Sequence, residues 1–581
     1  MNTCFHPLIP VCTIIYSDTQ KMDLQSTMTS LDGLFASLYS LKPKSILDIS
    51  TLDKLLEELS SPARGTICVA DDKRCRWSAL MISCILLAIT ITYLLGSLFE
   101  QRTLRSKIPV AGRGSFFVPN WWARLRFIRN SREIIQDGYS KYKDIFIIRK
   151  SGADIVAIGS AKLVDEVRAQ TKDSARSVEI FLHDFVGSYT GGKVFAESDL
   201  QNRVLMQKVT PNLGALIPAI KDELEYAIKM ELPVTHDTEW MEVDMLTAFP
   251  RIAARVVARI LLGPEGCRDE EWLRTTAQYT QNVFLTGFAL RFVPRIFRPL
   301  VAAILPTYWK LLTNLASARS FIGGLAEKRV LHPEDDVLQS IMDLAKPNER
   351  EADDLSQRMM VLSLAGIHTT AVTMAQAMYD LCARPQDFSA IRAELTDVLS
   401  SGPEWNKGML LNLHKMDSQL KESQRFNPVF LLTFNRILPT AVSLSNGIEL
   451  PAGTRVAVPY QAILNDPTEV PGENPASYDP WRYAKLREDP GNAQRHQFAM
   501  VDSRNMAFGY GKHACPGRFF LATEIKMIFA HMLMNFDWKL PEGHKRPESF
   551  TIDTDMYPDR SARVLIRSRE VPHSLKGIVS V

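Results

Sequence analysis

The segment from Phe508 to Phe520, Phe-Gly-Tyr-Gly-Lys-His-Ala-Cys-Pro-Gly-Arg-Phe-Phe, carries the side chain with the most chemistry to offer, the thiol of Cys515. Gly509, Gly511 and Gly517 free the backbone on both sides of it, so main chain can approach a flat ligand and amides can point at the sulfur. Apolar residues at Ile525, Ile528, Phe529, Met532 and Phe536 keep helical spacing. They predict a helix that begins after the cysteine, with Pro516 in its first turn. The positive end of that helix, with Lys512, His513 and Arg518 nearby, should favour thiolate over thiol and equip Cys515 as an anionic metal ligand.

A lone cysteine also reads as a small buried hydrophobe. Zinc would need three or four clustered cysteine, histidine or acidic ligands, and only His513 stands near Cys515. A metal held by one protein ligand points to haem instead. Phe508, Gly511, Cys515 and Gly517 satisfy the pattern F-x-x-G-x-x-x-C-x-G, which a chain with 27 Phe, 29 Gly and 8 Cys would meet by chance on the order of once in a thousand. The segment resembles the haem-binding loop of the cytochrome P-450 family. The resemblance implies haem b as cofactor, Cys515 as its axial iron ligand, and Phe508 and Gly511 as cofactor-binding positions of the loop.

Other stretches must position this loop and work opposite it. Met359 to Ala383 is apolar almost throughout and stops at Pro385, which predicts a long buried helix. Gly366 in its middle costs about 1 kcal/mol relative to Ala. The hydroxyls of Thr369 and Thr370 can compete for backbone carbonyls and open a turn able to hold water. Alone, this reads as packing or a kink. Beside the Cys515 loop, Ala365 to Thr370 resembles the family's oxygen-binding helix, with Thr369 on the threonine that hydrogen-bonds bound dioxygen. His368 stands where the family has an acid, and a histidine titrating near neutral pH can also pass protons. Thr369 and His368 are the catalytic candidates.

Glu422 and Arg425 share one face of a helix expected from Leu411 to Phe426, and as an isolated pair they would be a surface ion pair. Followed by Tyr478 to Tyr483 and then the Cys515 loop, they resemble the family's E-x-x-R and F-x-P-x-R-F segments. The resemblance implies a buried structural network of Glu422, Arg425 and Arg482. Leu431 to Ile437, Ile448 to Leu450 and Arg455 to Val458 read as strands, the last two joined by a Pro451-Ala452-Gly453 turn. Asp144 to Ile158 reads as a hairpin. Arg436 and His513 fall where the family contacts the haem propionates. The family's Trp-x-x-x-Arg is missing near Gln201 to Leu213, where Arg203 and Lys208 are the available cations.

At 581 residues, 46% hydrophobic and 23% charged, the chain can bury a large core. A net charge of +3 without a basic block excludes a nucleic-acid binder of the usual kind. Eight scattered cysteines show no disulfide framework. Residues 1–70 form an extension of mixed character without a signal peptide. Trp77 to Phe99 is uncharged and long enough to cross a ~30 Å hydrocarbon layer. Basic residues flank both its ends, so charge alone does not orient it.

Taken together, the resemblance implies a mostly α fold with a small β subdomain over 105–570, preceded by a single transmembrane anchor at 77–99 and followed by a tail at 571–581. It also implies oxygen insertion into an unactivated C–H bond of a hydrophobic substrate, using O2 and electrons from an NADPH-dependent flavoprotein reductase. The anchor would lie in the endoplasmic reticulum with the catalytic domain on the cytosolic side. Lys421 to Pro428 and Phe508 to Phe520 look most like fungal enzymes of secondary metabolism acting on terpenoids, meroterpenoids or indole diterpenoids. A haem-thiolate isomerase, dehydratase or peroxygenase working without a reductase is the alternative.

Overall fold

The computed structural model describes residues 108–112, 120–170, 178–232, 239–472 and 474–579. The expected extension 1–70 and anchor 77–99 lie outside them.

The alternation after Asp144 folds into the hairpin of β1 (Ile145–Lys150) and β2 (Ala153–Ile158), paired from Ile145↔Ile158 to Lys150↔Ala153. Gly152 takes φ +86° in the two-residue turn. β7 (Arg455–Val458) runs parallel to β2, and β4 (Thr433–Ile437) lies antiparallel to β7, giving the order β1-β2-β7-β4. The turn at Pro451 to Gly453 does not close a hairpin. It carries the chain out of the β5 (Val442–Ser443) and β6 (Glu449–Leu450) pair into β7 of the larger sheet. A three-stranded sheet joins β3 (Met241–Val243), β11 (Val564–Ser568) and β8 (Phe536–Lys539), and β9 (Phe550–Ile552) pairs with β10 (Asp555–Tyr557).

Most of the remainder is helical and surrounds the helix Ala352–Cys382, which packs on Met245–Cys267, Pro306–Leu331, His414–Phe426 and Arg518–Asn535. Among the described residues it is the one helix apolar and long enough to cross a membrane, but its apolar stretch is mostly buried inside the protein, as suits a core helix. The expected opening at its middle is not made. Thr369 Oγ1 donates to the Ala365 carbonyl at 2.7 Å and Thr373 Oγ1 to that of Thr369 at 2.8 Å, while the helix continues through both. Gly366 has a packing reason: a Cβ there would stand 3.2 Å from Val257 Cγ2, closer than ordinary van der Waals contact.

The expected helix Leu411 to Phe426 is two helices, Lys407–Asn412 and His414–Phe426, separated at Leu413. On the second, Glu422 is fully buried. Arg425 donates to both its oxygens at 2.9 and 2.8 Å, Arg482 Nε approaches at 3.2 Å, and the Asp479 amide donates at 3.0 Å. The guanidiniums in turn hold carbonyls of Leu464 (Arg425, 2.9 Å) and Ser477 (Arg482, 2.9 Å). One turn away, Lys421 donates to the carbonyls of Gln497 (3.0 Å) and Met500 (3.1 Å), and burial pushes its pKa down to about 8. One buried face of a short helix thus fixes the chain on its way to the Cys515 loop.

Residues 571–579, expected as a tail, instead pack into the helical core through Leu575, Ile578 and Val579, and Trp405 Nε1 donates to the Ile578 carbonyl at 3.1 Å. The apolar spacing there is too short to announce itself in sequence.

Glu422→Gln would leave two buried guanidiniums without a counter-charge and is expected to lower unfolding stability by about 3–5 kcal/mol, measurable as the urea midpoint. A second expectation concerns His531, fully buried and stacked on Trp405 at 6.2 Å, with burial pushing its pKa down to about 4. The unfolded chain binds this proton more readily, so the contribution to stability is complete above pH 6.5 and is lost as pH falls towards 4. Urea titrations at a series of pH values should show wild type losing more stability across that window than His531→Phe.

Candidate functional site

The Cys515 loop is a tight reversal. The Cys515 amide donates to the Phe508 carbonyl at 2.7 Å, Gly509 N to Met506 O at 2.8 Å and Ala514 N to Gly511 O at 3.1 Å. Gly509 and Gly511 take φ +79° and +70°, the left-handed region where an L side chain is strained. Gly517 takes an ordinary φ of −86°, and a Cβ on it would meet nothing within 4 Å, so the backbone does not require this third glycine. It caps the helix Arg518–Asn535, which places Pro516 before the cap and not in the first turn. Phe508 meets Phe498 edge-on, ring centroids 5.5 Å apart.

The Cys515 sulfur is accessible although protein mass surrounds the loop. Burial pushes its thiol pKa up, while the Gly517 and Arg518 amides and the Arg518 guanidinium draw it down without prevailing. Those groups act in the direction expected of the helix end and its neighbours, and burial opposes them. A metal cation held by the sulfur would add to their stabilisation of the thiolate.

β4 carries a bulge between Thr433 and Arg436, with Phe434 at φ +51°, and such a bulge re-aims the side chains that follow it. Arg436 is buried, lies 4.5 Å over the Phe434 ring and donates to the Asn435 carbonyl at 2.7 Å. No carboxylate forms an ion pair with it among the described residues, and burial pushes its pKa down to about 10. His513 is an electrostatic neighbour: burial, then Arg436 and Lys512, push its pKa down to about 4, and its buried Nε2 has no hydrogen-bond partner. A buried guanidinium without an acid and an orphaned imidazole nitrogen beside it fit the carboxylate arms of a haem. Arg203 is taken up by Asp199 at 3.1 Å, and Lys208 lies exposed on the π-helical turn Leu205–Val209.

On the helix Ala352–Cys382, Ala365 is exposed, and Gly366, His368 and Thr369 are partly accessible. Burial pushes the His368 pKa down to about 4, and its Nε2 has no hydrogen-bond partner. It is therefore a neutral imidazole at physiological pH, in contrast to the near-neutral titration expected of it. Phe181, Phe185 and Phe284 meet through ring centroids 4.6 and 5.1 Å apart, and Phe288 meets Phe292 at 5.1 Å. Phe430 keeps 42% of its surface exposed.

Sequence reasoning missed the part played by Lys421. Its signal was a cation on the same face as the network residues around it, at a position that a solvated face would equally explain.

A family profile described as Cytochrome P450 matches residues 113–557. The chain is 50% identical over 467 residues to an ent-kaurene oxidase of Gibberella intermedia, covering 80% of this chain and 89% of that one. It is 40% identical over 497 residues to a cytochrome P450 monooxygenase of Emericella nidulans (84% and 92% covered), and 34% identical over 480 residues to the cytochrome P450 monooxygenase paxP of Penicillium paxilli (80% and 90% covered). With a loop built around one accessible cysteine, a helix whose accessible face carries a threonine, and matches of this extent, the chain belongs to the cytochrome P450 family of haem-thiolate monooxygenases.

Proposed function

We propose that this chain inserts oxygen into a bulky apolar terpenoid, with Cys515 as the haem ligand and Thr369 and His368 handling protons on the opposite side. The observation that carries the reading is the presence of an accessible cysteine, Cys515, in the glycine-bearing loop together with an accessible Ala365 to Thr369 face on an otherwise buried helix. Thiolate-ligated haem, when bound, supplies O–O cleavage and the oxidising power for C–H bonds. The chain's own residues set the conditions for that chemistry. Arg436 and His513 would hold the propionates, and Phe508 and Gly511 shape the loop beneath them. The Thr369 hydroxyl, anchored on the Ala365 carbonyl, keeps lone pairs with which to accept a proton donor's hydrogen bond. His368, uncharged, is able to donate from one ring nitrogen and accept at the other without drawing in counter-ions.

The phenylalanines at 181, 185, 284 and 430 exclude water and suit a substrate with little polar surface. The name of the ent-kaurene oxidase supports a terpenoid skeleton, and ent-kaurene is the first probe to try. We further assign the electrons to a membrane-bound NADPH-dependent flavoprotein reductase, and the chain to the endoplasmic reticulum membrane through a single span at 77–99 with the catalytic domain cytosolic. The uncharged 23-residue composition of that span supports the anchor.

Microsomes bearing the wild-type chain, reduced and exposed to carbon monoxide, should show the long-wavelength Soret band of thiolate-ligated haem, and Cys515→Ala should lose it. Bound haem without that band in wild type would remove Cys515 from the ligand position. Thr369→Ala, assayed with the reductase, should continue to consume NADPH while product falls about tenfold or more and hydrogen peroxide rises. An enzyme that does not use dioxygen would be indifferent to the change.

A further inference from the structure

Segments far apart in sequence converge on the β9–β10 hairpin. Its two-residue turn is Asp553-Thr554, with Asp553 at φ +56°. Lys150 at the end of β1 stands 2.7 Å from Asp184 and 3.6 Å from Asp553. Arg291, closing the helix Glu270–Arg291, stands 2.9 Å from Asp553, and Arg455 of β7 stands 2.8 Å from Asp184. Three cations and two carboxylates are thus paired among themselves.

Asp555 is the carboxyl left over. No cation forms an ion pair with it among the described residues. Its oxygens have only the Tyr557 hydroxyl at 3.3 Å and the Thr554 hydroxyl at 3.4 Å, both beyond the usual O–H···O range. Strand alternation puts Asp555 and Tyr557 on one face of β10 and the buried Met556 on the other. Through a backbone bridge Asp555 adjoins Phe430, the exposed residue of a segment whose next two residues are buried. Its side chain keeps accessible surface although protein packs around it, so it opens on the interior. Asp184 and Arg291 lie in sequence among the phenylalanines at 181, 185, 284, 288 and 292, of which 181, 185 and 284, with Phe430, are the ones to which the apolar substrate is assigned above.

We propose that Asp555 is a specificity-determining residue that hydrogen-bonds a neutral oxygen function, a hydroxyl or carbonyl, on an otherwise apolar substrate. The inference rests on the terpenoid reading above and deepens it: the preferred substrate is an oxygenated polycycle. Burial and the facing Asp553 and Asp184 outweigh Lys150 and Arg291 and hold the Asp555 carboxyl up at about 6. The group therefore exchanges between donor and acceptor forms near neutral pH, and a hydroxyl partner serves both. An amine gains little, because Lys150, Arg291 and Arg455 already balance the charges of Asp184, Asp553 and Asp555. A pure hydrocarbon leaves the carboxyl unpaired.

The test is a spectral binding titration of the haem-loaded, full-length protein with two probes, ent-kaurene and its singly hydroxylated alcohol. The proteins compared are wild type, Asp555→Asn and Asp555→Leu, each first checked for the carbon monoxide band. Wild type should bind the alcohol about tenfold more tightly than the hydrocarbon, the increment of one buried hydrogen bond. Asp555→Asn, which keeps a donor and an acceptor, should retain most of that preference, and Asp555→Leu should abolish or reverse it. Equal preference in all three proteins would overturn the assignment of Asp555 while leaving the terpenoid reading intact. Failure of wild type to bind either probe would overturn the terpenoid reading, and this inference with it.

Discussion

A single carboxylate, that of Glu422, sets the conditions for everything downstream of it. It is fully buried, accepts from Arg425, Arg482 and the Asp479 amide, and has no water to fall back on. A buried ion pair of this kind contributes little net stability over a hydrophobic substitute. What it does contribute is position, since the bidentate geometry admits one arrangement of three separate stretches of chain. Lys421 adds a fourth from the same helix, by holding the carbonyls of Gln497 and Met500. The approach to the Cys515 loop is therefore fixed by a polar lattice, and the loop itself is seated by the apolar contact of Phe508 with Phe498.

Electrostatics in the site follow one rule, that burial prevails unless a counter-charge is built in. Glu422 has its counter-charges. Arg436, His513 and His368 do not, and each is displaced towards its neutral form, while at Cys515 burial outweighs the neighbouring Arg518. Groups left unsatisfied by the fold are groups reserved for something the fold itself does not provide. On the proposed reading that partner would be acidic for Arg436 and His513 and a cation for the sulfur.

Much of this was legible in the sequence where spacing was local. The Cys515 loop, the Glu422 and Arg425 pair, the hairpin after Asp144 and the long apolar helix all rest on residues within a few turns of one another, and so left a pattern. What remained hidden depended on contacts across the fold. Gly366 read as a weak point in a helix, and only Val257 on another helix explains it. His368 was expected to titrate near neutrality and Cys515 to be drawn towards thiolate by its neighbours, and at both burial, a property of the whole fold, acts in the opposite direction. The charges at Lys150, Asp184, Arg291, Arg455 and Asp553 lie on five elements, and no periodicity connects them. The packing of 571–579 was missed for the same reason.

The parallel pairing of β2 with β7 also bears on how the chain is made. Val156, paired with Ile147 on one side, finds its neighbour on the other in Val456, three hundred residues later. During synthesis the β1–β2 hairpin leaves the ribosome with one edge unpaired and waits for most of the catalytic domain to follow. An open strand edge is a template for association with other chains. That edge is therefore open early in translation, well before Cys515 has been made.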